Sequence, residues 1–227
     1  MNKNNKNSDN LESVLKKTLN LLKQTDELIA KDPKNEFYHL KKSYLLYFVS
    51  FFESEIIGSE QGDKRLEEAL KEINMAIGLN PNISAFHYYK AIILLMLKKT
   101  DEALKEIDIA IELNPNNKMF HYFKGHILFI LKRYEEALEE YNKVLSMDPN
   151  DKDARKYKIE ILMLMQNYED VLEEYDKILA KNPNDEDAHF SKATILTKLK
   201  RFEEAEEEYH HVIYIDLRRI IKKLLLE

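Results

Sequence analysis

The segment from Tyr134 to Asp151, YEEALEEYNKVLSMDPND, is nearly copied 34 residues later as YEDVLEEYDKILAKNPND, from Tyr168 to Asp185. The prolines keep the same beat: Pro81, Pro115, Pro149 and Pro183 are 34 residues apart, and Pro33 stands 48 before the first of them. A fixed period of this length marks a repeat architecture in which each repeat is one supersecondary unit. Within a unit, an apolar stretch of helical period is followed by a polar break. A second amphipathic stretch then runs to an Asn-Pro or Asp-Pro, where the proline stops it. Each unit is thus read as a helix-turn-helix hairpin. One hairpin cannot bury its own apolar face, so neighbours must stack, and the fold class is an all-α solenoid of about five hairpins with flanking N- and C-terminal helices.

Composition agrees with helix and excludes several chemistries. Four glycines and five prolines in 227 residues are too few for a strand-rich fold with its many turns. The absence of cysteine excludes a disulfide framework, a thiolate nucleophile and cysteine-ligated zinc. The polar start MNKNNKNSDN has no apolar signal stretch, and IILLML at Ile92 to Leu97 is far too short to span a bilayer, so a cytoplasmic location is expected. A formal charge of −6 argues against nucleic acid as partner, because binding it normally needs clustered cations.

The 34-residue hairpin resembles the tetratricopeptide repeat, whose pattern is W-x2-L-G-x2-Y, then A-x3-F, then P. The small residue of the second helix is Ala69, Ala103, Ala137 and Ala205, with Val171 departing; one turn later stand Ile73, Ile107, Tyr141, Tyr175 and Tyr209. The glycine slot of the first helix holds Ser43, Ala91, Gly125 and Ala193, whereas Ile159 intrudes in the fourth hairpin, which is therefore expected to splay slightly. The tyrosine slot is always leucine: Leu46, Leu94, Leu128, Leu162 and Leu196. The tryptophan slot carries His39, His87, His121, Arg155 and His189, and the leucine slot Lys42, Lys90, Lys124, Lys158 and Lys192. The resemblance implies a right-handed α-solenoid.

The expected division is a disordered tail over 1–10, an N-terminal helix over 11–32 and an array over 36–217. Its repeats run 36–83 with an insertion, 84–117, 118–151, 152–185 and 186–217, and 218–227 continues the last helix or caps it. Asp9 and Glu12 form a capping box for the first helix. The 14 extra residues are expected to lengthen the first helix of hairpin one by two to three turns, with GSEQGD as the turn. Acidic pairs from Glu67/Glu68 to Glu203/Glu204 are expected to begin each second helix, where the dipole favours them. Lacking a proline at Leu217, the last helix is expected to fold back as a cap or to project and pair with another chain.

No constellation points to catalysis. Histidines one hairpin apart sit roughly 8–10 Å from one another by helix spacing, too far to share a metal. The sequence has no phosphate-binding glycine loop and no nucleophile elbow. Neither a cofactor nor a metal is expected. The lysine ladder is read as a set of solvated or paired cations rather than an anion site. RRIIKK at Arg218 to Lys223 is read as last-turn cations rather than a membrane contact.

By the resemblance, the first helix of each hairpin lines a concave groove. That gives Phe37, Leu40, Tyr44, Tyr47 and Phe48, then Tyr88, Ile92, Leu95 and Met96, then Met119, Tyr122, Phe129 and Ile130. The fourth and fifth hairpins turn polar there, with Asp153, Lys156, Glu160, Asp187, Thr194 and Lys198. The expected function is a protein-protein interaction module or scaffold, binding a helical or extended partner segment in this apolar groove, with no nucleic acid or membrane partner. The alternative is a structural, self-associating subunit: its own helices fill the groove, or it forms a homodimer through the C-terminal helix.

Overall fold

A computed structural model describes residues 3–56 and 59–224, and all the elements are α-helices. They form two compact units, Met1–Lys143 and Val144–Glu227. The first unit holds α1 (Lys3–Lys31), α2 (Glu36–Ile56), α3 (Ser59–Leu79), α4 (Ser84–Met96), α5 (Thr100–Leu113), α6 (Lys118–Ile130) and most of α7 (Tyr134–Met147). The second holds the end of α7 with α8 (Lys152–Leu164), α9 (Tyr168–Lys181), α10 (Glu186–Lys198) and α11 (Phe202–Leu224). Pro33 falls between α1 and the first hairpin and the other four prolines between one hairpin and the next, and the fold is of the all-α solenoid class.

Stacking is visible in the cores of the first unit. Phe86 of α4 lies in one cluster with Ala69, Ile73 and Ala76 of α3 and Leu46 of α2, so the second hairpin seals the apolar face of the first. Phe120 of α6 repeats this against Ala103, Ile107 and Ala110 of α5. Leu70 touches both clusters. Burying each phenylalanine stabilises the stack by about 1.5–3 kcal/mol, and both are almost wholly enclosed.

Each regular hairpin turns on one residue of left-handed backbone, Lys98, Lys132, Gln166 and Lys200, with φ between 58° and 61°. The following N–H returns to a carbonyl five residues back, as Lys99 does to Leu94 and Arg133 to Leu128. This satisfies carbonyls left open at the helix end.

Four expectations need correction. α1 starts at Lys3, so residues 3–10 are helical rather than a disordered tail, and the Asp9/Glu12 pair lies inside the helix instead of capping it. Nothing in NKNSDN is a proline or glycine, so the helix nucleated by the leucines downstream runs back through it. α2 has the expected two to three extra turns, 21 residues against 13 in α4, and α3 is lengthened as well, 21 residues against 14 in α5. Most of GSEQGD is helical, because Gly62 lets α3 approach α2 so closely that a Cβ there would stand 2.8 Å from the Ser50 carbonyl oxygen. As a result Glu67 and Glu68 lie in mid-helix; the other acidic pairs do open their helices. Where proline is replaced by Leu217, α11 runs on unbroken as one helix of 23 residues and does not fold back within its described residues.

Candidate functional site

The histidine slot is a buried clamp built once per hairpin. His121 Nδ1 is hydrogen-bonded to Glu140 on α7 at 2.6 Å, and its Nε2 lies 2.8 Å from the Pro115 carbonyl oxygen. His39 spans Glu72 and Pro33, His87 spans Glu106 and Pro81, and His189 spans Glu208 and Pro183. One ring thus ties the proline turn, the first helix and the second helix together. Arg155 in the fourth hairpin makes the same two bonds, to Glu174 and to the Pro149 carbonyl. A guanidinium fits this slot because its N–H groups reach both acceptors.

The lysine ladder completes the clamp. Lys42 pairs with Glu72 and Asp26, Lys90 with Glu106, Lys124 with Glu140 and Asp108, Lys158 with Glu174, and Lys192 with Glu208 and Asp176. These cations are occupied by the fold and do not form an anion-binding row. Sequence reasoning missed the central glutamates, although a signal was present: Glu106, Glu140, Glu174 and Glu208 each follow the slot residue by 19 positions.

Burial alone would raise the carboxyls of Glu140, Glu174 and Glu208, yet all three are held below their ordinary value. Hydrogen bonds from His121 and Lys143, from Lys177 and Lys158, and from Lys192 and His189 respectively outweigh it. A carboxyl depressed by folding stabilises the protein above its unfolded value, near 4.5, and loses that contribution as pH falls through the folded one. The melting temperature is therefore expected to drop steeply from about pH 5 to about pH 3. Circular dichroism melts across that range check it; a flat profile contradicts the clamp.

The aromatic surface lies on α2 and α4. Phe37, Leu40 and Tyr44 of α2 meet Tyr89 of α4 around a shallow cavity of about 190 Å³, with Lys41 at its edge. Tyr44 and Tyr89 continue with Tyr47 and Ile92 around a smaller one of about 50 Å³. Tyr44 stands edge-on to Phe48 at 4.7 Å and to Tyr89 at 5.7 Å, which fixes its ring while leaving it 44% exposed; Phe37 is 55% exposed. Tyr89, which directly follows Tyr88, thus lines both cavities.

The remaining expected residues divide. Tyr88 leans on Phe120 and Phe123 and Leu95 packs on the second core cluster, so both join hairpins as much as they line a surface. Tyr122 stands edge-on to Tyr141 and Phe129 lies near Tyr134, each turned toward α7. Met96, Met119 and Ile130 are exposed and line neither α2–α4 cavity.

Among the described residues no three His, Asp or Glu side chains converge to hold a metal ion, and no helix is long and apolar enough to cross a membrane.

No curated protein matches the chain in sequence. Several solved structures share its fold. YrrB, described as a TPR protein with an unusual peptide-binding site, is 18% identical over 84% of this chain and 91% of its own, with a TM-score of 0.62. MamA from Desulfovibrio magneticus is 22% identical over 78% of this chain and 96% of its own, with a TM-score of 0.55. A tetratricopeptide repeat protein from Parabacteroides merdae is 17% identical over 90% and 79%, with a TM-score of 0.56. Three family models, each described as tetratricopeptide repeat, match residues 60–118 and 99–152, 128–189, and 174–207. With the 34-residue period, the proline turns and the small-against-large helix pairing, these matches show that the chain belongs to the tetratricopeptide repeat family.

Proposed function

We propose that the chain is a non-catalytic binding module whose partner, a helical or extended protein segment, lies across the α2–α4 face. The observation that supports this most is the pair of large exposed rings, Phe37 and Tyr44, around one shallow cavity. Apolar rings held open in this way suit the anchors of a docked segment. Peptide binding by YrrB, a protein of the same fold, is consistent with it. The test is capture from a lysate of the source organism by the intact chain and by a Phe37→Ala/Tyr44→Ala variant. A partner held by the intact chain and lost by the variant, with the melting temperature unchanged, is the expected result. Equal capture by both places the site elsewhere.

A second reading is self-association through α11, and it has its own observation. Ile213, Tyr214, Leu217, Ile220 and Ile221 are each more than half exposed and recur at helical spacing along one side of α11. Such a stripe suits pairing with a second helix. Light scattering on the intact chain and on a Leu217→Glu/Ile221→Glu variant tests it: a dimer that dissociates in the variant supports the reading, and a monomer in both removes it.

A further inference from the structure

A cavity of about 570 Å³ opens inside the fourth hairpin, between α8 and α9. Its cause lies in the helix-pairing slots. The other hairpins carry a small residue at the slot of the first helix and a large one at the slot of the second, and in the third hairpin the two face so closely that a Cβ on Gly125 would stand 3.0 Å from the Tyr141 ring. The fourth hairpin puts Ile159 against Tyr175, two large residues where the others have one. Both side chains line the cavity, together with Ile178, and they make its apolar wall.

The polar lining has one sign to offer. Arg155 is spent on Glu174 and the Pro149 carbonyl, and Lys181 donates to that same carbonyl and to Asn150. Asp185, the one carboxylate in the lining, accepts from the Ala188 N–H and from Asn182, so both its oxygens are used. Lys152 and Lys156 line the cavity too and have no carboxylate partner among the described residues. An apolar wall beside two uncommitted ammonium groups, in a volume typical of small-molecule sites, defines the ligand by chemistry.

We propose that this cavity binds a small amphiphilic anion, an aromatic or branched apolar body carrying one acidic group. The apolar body packs on Ile159, Tyr175 and Ile178, and the acidic group meets Lys152 and Lys156. The site is separate from the α2–α4 face and does not depend on it. The experiment is a titration of the intact, isotope-labelled chain with 3-phenylpropionate, followed by amide chemical shifts, with 3-phenylpropanamide as the uncharged twin. Saturable shifts confined to α8, α9 and their turns are expected, with the amide at least about tenfold weaker, the loss of roughly one charge-assisted hydrogen bond. A Lys152→Gln/Lys156→Gln variant is expected to lose a similar factor. Ile178→Trp, which fills the apolar wall, is expected to abolish the shifts while the rest of the spectrum keeps its dispersion. Equal binding of acid and amide, shifts scattered over the chain, or full binding by Ile178→Trp would overturn the proposal. The Phe37→Ala/Tyr44→Ala variant is expected to bind the acid normally, so failure here and failure of the proposed function are told apart.

Discussion

Replacing Glu174 by Gln is expected to cost about 3 kcal/mol, the low end of what breaking a buried ion pair from one side costs. Glu174 is only 2% exposed and accepts from Arg155, Lys158 and Lys177. The amide removes the anion and leaves two largely enclosed cations, Arg155 and Lys158, without it. Urea unfolding monitored by circular dichroism measures the loss. The same variant is expected to have a shallower acid limb, since one of three depressed carboxyls is gone. Arg155→His, by contrast, places there the residue found in the other four hairpins, and its effect is expected to stay within about 1 kcal/mol because the ring nitrogens reach the same two acceptors there. If Glu174→Gln proves neutral, the clamp is an arrangement of surface charges and not a structural element.

Gly125→Ile is expected to destabilise the first unit by about 2–3 kcal/mol, after allowing for the better helix propensity of isoleucine. Three atoms of the Tyr141 ring would lie 3.0–3.2 Å from a Cβ at this site, and Tyr141 is fully buried, so it has nowhere to move. The substitution copies the Ile159 and Tyr175 pairing of the fourth hairpin into the third, and α6 and α7 are expected to part as α8 and α9 do. Gly125→Ala adds only the Cβ. Its strain and its propensity gain are each about 1 kcal/mol, and the net change is expected to be small. A stability difference between the two variants of less than about 1 kcal/mol would show that this contact is loose. A change in the accessibility of Tyr141, followed by hydrogen exchange in its helix, is the accompanying structural readout.

The period and the prolines made the hairpins legible, since both act within a few residues of where they stand. The exception in the fourth hairpin stands out in the sequence too: Ile159 occupies a slot for a small residue, and it lines the cavity there. What escaped depends on contact across helices. Gly62 reads as a turn residue along the chain, yet it sits inside α3 because the Ser50 carbonyl of α2 leaves no room for a Cβ. The histidines read as satisfied, semi-buried rings, but which groups satisfy them became visible only with Glu72, Glu106, Glu140 and Glu208 placed opposite them. The aromatic face was partly legible. Amphipathic spacing selects the helices, but it cannot separate Tyr44, which stays open, from Tyr88, which leans on Phe120 and Phe123 of the next hairpin.

The most direct test of the binding account is photo-crosslinking in living cells of the source organism, with a benzophenone amino acid placed at Tyr44 and, as a control, at exposed Glu102. The account predicts a discrete crosslinked species with a second polypeptide from position 44, absent from position 102. Crosslinks from position 44 that remain within the chain, or that match those of the control, would contradict it.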